Sequence, residues 1–332
     1  MTQSHILPLV DITGLVSERL EDRLFVARQL DRACAEAGFL YITGAQLGGA
    51  SFRRLVARAE AYFALDSDIK MKSYIGNSEN HSGYVPVGEE QLGAGECDLK
   101  EAFDVNCDYR RHEGRRPLLG PNIWPEMPGF REDVQAYYRH VTGIGGQLFR
   151  AFALALGLDE DHFDVHLRYP PSQLRLIHYP FDATAEDRPG IGSHTDYECF
   201  TLLFATAPGL QIVDKQGRWI DVPLVEDTMI LNIGDMMEIL SNGRYVATRH
   251  RVKKVTEERY SFALFHACDY DYVVEPVVRG EPPLYAPLKG GEHLFNQTAQ
   301  TFAYLKRRIA SGELVLSGAL PLDSFGMGSA AA

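Results

Sequence analysis

His194 and Asp196 stand two residues apart in the run Gly192-Ser193-His194-Thr195-Asp196-Tyr197. Side chains at i and i+2 of an extended strand share a face, so an imidazole and a carboxylate here can take adjacent positions on one metal ion. Taken alone, the pair fits a solvated surface histidine beside a solvated acid equally well. A second histidine, His250 in Thr248-Arg249-His250-Arg251-Val252, lies far downstream in another predicted strand. Two histidines and one carboxylate on the same side of a barrel suit Fe(II) and leave three coordination positions open for an anionic chelating co-substrate and O2. A closed structural zinc site would need a fourth protein ligand. Arg259-Tyr260-Ser261 follows soon after. Arg259 and Ser261 share a strand face, where a guanidinium fork and a hydroxyl could hold the far carboxylate of a dicarboxylic keto acid. The competing reading of Arg259 is a strand-end ion pair with Glu257 or Glu258.

These residues need a β scaffold to bring them together. From Gln173 onward, short β-like runs at 173–179, 200–206, 209–213, 228–233, 245–251 and 260–266 are punctuated by Pro-Gly, Gln-Gly, Ile-Gly-Asp and Asn-Gly. Closely spaced strands with turn signals predict a jelly roll or sandwich, not a βαβ array. Upstream, Ile6–Asp11 reads as a short strand, and Leu24, Ala27, Leu30, Cys34 and Ala37 carry helical spacing up to Gly38. Phe39–Thr43 then reads as a buried strand. Helices are predicted from about Ser51, over 130–158 and over 292–311; residues 76–116 read mostly as loop with short strands, and the tail 326–332 as frayed. No linker or repeat divides the chain. The expected organisation is one unit, mainly β with flanking helices: residues 1–165 pack on a barrel of 172–270, with a C-terminal helix at 288–312.

Composition removes several function classes. The 332 residues are 45% hydrophobic and 23% charged, an ordinary folded composition. With 33 Lys and Arg against 45 Asp and Glu, net charge is −12, and no basic stripe is evident for nucleic acid. Five dispersed cysteines, Cys34, Cys97, Cys107, Cys199 and Cys268, form no C-x-x-C pair and read as free thiols of a reducing compartment. No apolar run approaches membrane-spanning length and the first residues lack a leader pattern. A cytoplasmic protein with a small-molecule partner, monomeric or weakly dimeric, is expected.

With His194, Asp196, His250, Arg259 and Ser261 in place, the sequence resembles the isopenicillin N synthase-like family of non-haem Fe(II), 2-oxoglutarate-dependent dioxygenases, whose motif is H-x-D…H…R-x-S. Flanking text resembles it too: Leu7-Pro8-Leu9-Val10-Asp11, Cys34-Ala35-Glu36-Ala37-Gly38-Phe39, Ser82-Gly83-Tyr84 and Lys100-Glu101-Ala102-Phe103. The resemblance implies a distorted double-stranded β-helix (jelly roll), Fe(II) on His194, Asp196 and His250, and 2-oxoglutarate held by Arg259 and Ser261. It also implies use of O2 to oxidise a small molecule by hydroxylation, desaturation or cyclisation, with release of succinate and CO2. Where plant relatives carry Asn-Tyr-Tyr this chain has Ile177-His178-Tyr179, so only Tyr179 matches the tyrosine that bonds the co-substrate carboxylate. Arg175, in phase with Tyr179 on a regular strand, is a candidate second cation for 2-oxoglutarate, whereas His178 is expected to face away. For the substrate pocket the candidates are Tyr84 and Glu90 in the loop before the barrel, Tyr197 and Phe200 beside the motif, and Phe302 in the C-terminal helix.

Two other readings fit the same residues. An isopenicillin N synthase-type oxidase would use O2 without 2-oxoglutarate, its Arg and Ser holding the substrate's own carboxylate; oxygen uptake with and without 2-oxoglutarate separates the two. A non-catalytic metal-binding barrel would lack the weak visible charge-transfer band of the anaerobic Fe(II)–keto acid chelate.

Overall fold

Alternation of side chains along the strands sorts this chain into an outward, helix-covered side and an inward, partly polar side. The computed structural model describes residues 6–44, 49–90, 98–109, 116–181 and 190–316. Its elements begin with β1 (Leu9–Asp11), α1 (Leu20–Ala37), β2 (Phe39–Thr43), α2 (Ala50–Phe63), α3 (Ser67–Met71), β3 (Gly83–Val85), β4 (Glu101–Asn106) and the long α4 (Phe130–Ala155). The β-rich half holds β5 (Gln173–Tyr179), β6 (Ile191–His194), β7 (Phe200–Ala205), β8 (Leu210–Val213), β9 (Trp219–Asp221), β10 (Met229–Ile233), α5 (Asp235–Leu240), β11 (His250–Val252) and β12 (Arg259–His266). A small pair, β13 (Val273–Val274) and β14 (Leu288–Lys289), leads into α6 (Gly290–Thr301) and α7 (Ala303–Ala310).

Strands β1-β2-β10-β7-β12-β5-β4-β3 form an eight-stranded sheet and β6-β11-β8-β9 a four-stranded one. Together they make the expected distorted jelly roll. Strands β1 to β4 come from the portion expected to pack against the barrel, and they are instead hydrogen-bonded into its larger sheet. On the outward face Leu174, Leu176, Leu202, Leu231, Phe262 and Leu264 join α1, α2 and α4 in the main apolar core. Inward, Phe39, Tyr41 and Ile230 of the large sheet pack with Leu210 and Ile212 of the small one, closing that end of the barrel. The period-two pattern of each strand thus gives two cores of different character.

Gly38 ends α1 in the left-handed conformation, φ 62°, and a Cβ there would stand 2.2 Å from the Val246 carbonyl oxygen. Only glycine meets both demands. Its carbonyl then accepts from Ile233 N–H at 2.9 Å, tying the helix end to β10.

Several expectations are corrected. The strand expected over 245–251 starts at His250, because Tyr245 is buried among helix residues with its hydroxyl on Asp31. Strand β6 ends at His194, as the strand-end reading of that run expects, whereas β9 and helix α5 lie where turns were expected; the Ile-Gly-Asp punctuation is the start of a helix. The C-terminal helix is two helices broken at Phe302, whose backbone is extended at φ −93°, ψ 129°. The first strand begins at Leu9 and α1 at Leu20. Of the cysteines, Cys34, Cys107, Cys199 and Cys268 are free thiols; Cys97 and the tail 326–332 lie outside the described residues. Among the described residues no helix is long and apolar enough to cross a membrane.

His178 illustrates the outward face of β5. It bonds Glu101 through Nδ1 at 2.8 Å and Glu258 through Nε2, and stacks on Tyr260. Burial alone would lower its pKa, but the two carboxylates outweigh burial and raise it above 6.5. Burial would likewise raise Glu101 and Glu258, yet the hydrogen bonds each accepts, His178's among them, leave both lowered from 4.5. The histidine's contribution to stability is therefore full below about pH 6.5 and lost as pH rises through its higher folded value. The carboxylates' contribution is present above about pH 4.5 and lost on acidification. His178→Asn is expected to lower Tm most at about pH 5–6, with the deficit shrinking toward about pH 9; a deficit that is flat across thermal melts over that range would contradict the ion-pair account.

Candidate metal centre

His194 closes β6 and His250 opens β11, and the two are direct cross-strand partners in the antiparallel register. That register sets their imidazoles side by side, ring centroids 4.3 Å apart. Asp196 sits in the turn after β6. Its carbonyl accepts from Asp235 N–H at 2.8 Å, while Gly234 approaches so closely that a Cβ would lie 2.3 Å from the Glu198 carbonyl oxygen. The start of α5 therefore clamps the turn backbone to backbone.

The carboxylate of Asp196 is divided in function. Its Oδ2 accepts from Thr201 Oγ1 and from Asn232 Nδ2, the latter at 2.7 Å. Its Oδ1 faces the histidines, 3.6 Å from His194 Nε2 and 3.5 Å from His250 Nε2. Each imidazole is oriented from behind: Nδ1 of His194 lies 2.8 Å from the Gly192 carbonyl and Nδ1 of His250 lies 3.2 Å from that of Thr248. Those carbonyls can only accept, so Nδ1 carries the proton and the Nε2 lone pairs point toward Oδ1. One atom from each residue lies within 4.8 Å of the other two. Burial, with His250 adding, pushes the His194 pKa down to about 4, so it stands neutral as a ligand must. For Asp196 the neighbouring imidazoles outweigh burial and lower its pKa. Mixed nitrogen and oxygen donors on one open face fit a borderline divalent ion such as Fe(II).

Arg259, Ser261 and Tyr179 lie side by side on the inward face of β12 and β5, where Arg259 pairs with Tyr179 and Ser261 with Ile177. Arg259 is 1% exposed; its Nε donates to the Ala207 carbonyl at 3.1 Å and its guanidinium lies over the Tyr179 ring. One terminal nitrogen, Nη1, is buried without a hydrogen-bond partner, and among the described residues no carboxylate pairs with Arg259. Glu258 is engaged by His178 and by Phe181 N–H. A buried, unpaired guanidinium next to a buried hydroxyl is a site for an anion.

Beside the triad is an open cavity of about 80 Å³, walled by Glu90, Tyr197 and Phe302 and also by His81, Lys100, Arg175 and Glu198. Arg175 is in phase as expected, but its guanidinium is not available to 2-oxoglutarate. It is bidentate on Asp104 at 2.8 and 2.9 Å and bonded to Glu90 at 2.8 Å, and its face covers the Phe302 ring. Lys100 donates to the same Glu90 oxygen, Oε2, at 2.6 Å. Two further pocket candidates are corrected. Tyr84 turns outward, where its hydroxyl bonds Glu101 and its ring meets Tyr62. Phe200 also faces outward, against Phe149 and Phe152 of α4; the neighbouring inward residue of β7 is Thr201.

Lys100, Asp104, Glu198 and His81 carry no motif spacing of their own. Alternation does carry a signal for two of them, since Lys100, Ala102 and Asp104 fall on the face opposite Glu101 and Phe103. His81 shares a hydrogen bond through Nδ1 with the Tyr304 hydroxyl at 2.6 Å, and burial pushes its pKa down to about 3, so it is neutral. Glu198 is 6% exposed; burial, then the charge of Asp196, raises its carboxyl to about 8. Replacing Arg175 by Met would strand Glu90 and Asp104 without their shared cation. A loss of about 3–5 kcal/mol in urea unfolding is expected, and a loss under about 1 kcal/mol would mean that the network is not coupled as drawn.

Comparison with known proteins places these features in context. A family model described as the 2OG-Fe(II) oxygenase superfamily matches residues 170–267, and one described as the non-haem dioxygenase in morphine synthesis N-terminal region matches residues 7–127. The chain is 32% identical to a homoarginine-6-hydroxylase of Oryza sativa subsp. japonica, over 89% of this chain and 97% of that protein. It is 29% identical to the isopenicillin N synthase of Lysobacter lactamgenus, over 87% and 93%. Among solved structures, a putative 2OG-Fe(II) oxygenase family protein from Caulobacter crescentus superposes with TM-score 0.77 at 28% identity, covering 93% of this chain and 99% of that one. A full-length Neurospora crassa protein in complex with alpha-KG superposes with TM-score 0.78 at 23% identity, covering 93% and 98%.

Proposed function

The chain belongs to the 2OG-Fe(II) oxygenase superfamily, and on that premise we propose the roles of its individual residues. The protein is a non-haem iron, 2-oxoglutarate-dependent dioxygenase that oxidises a small-molecule substrate. Fe(II), when bound, couples O2 reduction to decarboxylation of 2-oxoglutarate, giving succinate, CO2 and an oxidised substrate. In our reading His194 and His250 bind that ion through Nε2 and Asp196 through Oδ1, and Thr201 and Asn232 hold Oδ2 so that Asp196 offers one oxygen. Arg259 and Ser261 take the distal carboxylate of 2-oxoglutarate, with Tyr179 fixing the guanidinium from its ring face. The observation that carries this assignment is the orphaned Nη1 of a buried Arg259 that no acid of the described chain satisfies.

The whole chain acts as one oxygenase unit, a reading supported by the pairing of β1 to β4 into the same sheet as the barrel strands. The cavity, with its charged walls, suits a small polar metabolite. The rice relative is named for homoarginine, which makes that compound the first to assay. A cytoplasmic location accords with the free thiols.

His194→Ala and Asp196→Ala are expected to abolish 2-oxoglutarate-dependent succinate formation, and near-wild-type turnover by either removes the ligand assignment. Arg259→Ala is expected to weaken 2-oxoglutarate binding about 10- to 100-fold by calorimetry, the value of a charge-assisted hydrogen bond. An unchanged affinity would send the keto acid elsewhere.

A further inference from the structure

The cavity beside the triad has a charge balance that the oxygenase chemistry leaves unexplained. Its two cations are already held: Lys100 by Glu90 at 2.6 Å and Asp98 at 3.5 Å, Arg175 by Asp104 and Glu90. Asp196 belongs to the triad. Glu198 is the remaining acid on the wall, and among the described residues its side chain has no ion pair and no hydrogen bond from any other residue.

Its position is nevertheless built. The Glu198 carbonyl accepts from Met236 N–H at 3.2 Å, and Gly234 packs against the same carbonyl, so the backbone that carries the side chain is fixed by α5. A carboxyl group 6% exposed, rigidly mounted and without a partner is disfavoured in its ionised form unless a cation comes to it. Tyr197 on the same wall supplies aromatic surface of the kind that receives cations. Nothing basic on the wall is left over to receive an anion, so the selectivity runs one way.

We propose that Glu198 is the counter-ion of the primary substrate, and that this substrate is a small organic cation. Its ammonium or guanidinium group lies against Glu198, which brings a C–H bond further along the molecule before the His194–Asp196–His250 face. The inference rests on the oxygenase reading above and adds the residue that selects the substrate and the charge it selects. Glu198 acts by binding and orientation, and no bond is made or broken at its carboxylate.

The test uses full-length protein loaded with Zn(II) and 2-oxoglutarate, which permits binding without turnover. Calorimetric titrations compare L-homoarginine with L-homocitrulline, and L-lysine with L-norleucine, each pair differing in the charge at the far end. At least one cation is expected to bind ten-fold or more tightly than its neutral counterpart, and Glu198→Gln is expected to erase that preference while 2-oxoglutarate affinity is retained. Glu198→Asp, which keeps the charge on a shorter side chain, should retain the preference at reduced affinity, so the proposal stays testable if the Gln variant folds poorly. The proposal is overturned if 2-oxoglutarate binds but neither cation is preferred, or if Glu198→Gln still discriminates. If 2-oxoglutarate itself fails to bind, the oxygenase reading falls first and takes this one with it.

Discussion

The structure depends on how one carboxylate is shared. Asp196 gives Oδ2 to Thr201 of β7 and Asn232 of β10, both in the eight-stranded sheet, and presents Oδ1 to two histidines of the four-stranded sheet. That single side chain therefore ties the two sheets together at the open end of the barrel. Buried carboxylates are tolerated only when their lone pairs are used, and here half are satisfied by the protein and half are reserved for a cation. The histidines follow the same rule, each spending Nδ1–H on a carbonyl two residues before it, Gly192 and Thr248. Preorganisation of this kind leaves little to rearrange when an ion arrives.

A second set of buried charges shapes the substrate side. Lys100, Glu90, Arg175 and Asp104 form a chain of ion pairs on the inward faces of β4 and β5 and the segment before them. Such a network contributes little net stability compared with well-packed apolar side chains. What it does give is rigidity: each long side chain is held at both ends of its polar group, and Arg175 pins the Phe302 ring beneath it. The anion site and the substrate wall are thus chemically separate. Arg259 lies two cross-strand pairs beyond the Ser261–Ile177 pair, whereas Arg175 lies two pairs before it and is already neutralised.

Much of this is legible in the sequence because it follows from periodicity. His194–Asp196 and Arg259–Ser261 are i, i+2 couples at strand ends, and alternation sets each couple on one face without knowledge of the fold. The same parity rule places His178 outward and Arg175 inward, as found. Parity does not tell whether an inward cation is free, since the acids that neutralise Arg175 come from Glu90 and Asp104, remote in the chain. Phe200 and Tyr84 are candidates by proximity to motifs, yet each is one position out of phase with the inward residues beside it, Thr201 and the face shared by Lys100 and Asp104. Helix α5 is illegible because Gly234 reads as a turn former, and its reason for being glycine is the Glu198 carbonyl against it. The break at Phe302 is hidden by continuous helical composition on both sides.

That break shapes the substrate wall. The Ala303 N–H donates to the Glu89 carbonyl at 2.8 Å and the Tyr304 N–H to the Glu89 carboxylate at 2.7 Å. The C-terminal helices are thereby stitched to the segment that carries Glu90, and Phe302 turns over the cavity between them. These hydrogen bonds join an early segment to a late one, and Phe302 then packs in one apolar cluster with Ile191 of β6 and Val252 of β11. The part of the wall carried by Glu90 and Phe302 is set by contacts remote in sequence from the metal ligands, whereas Tyr197 and Glu198 continue the wall from the Asp196 turn itself.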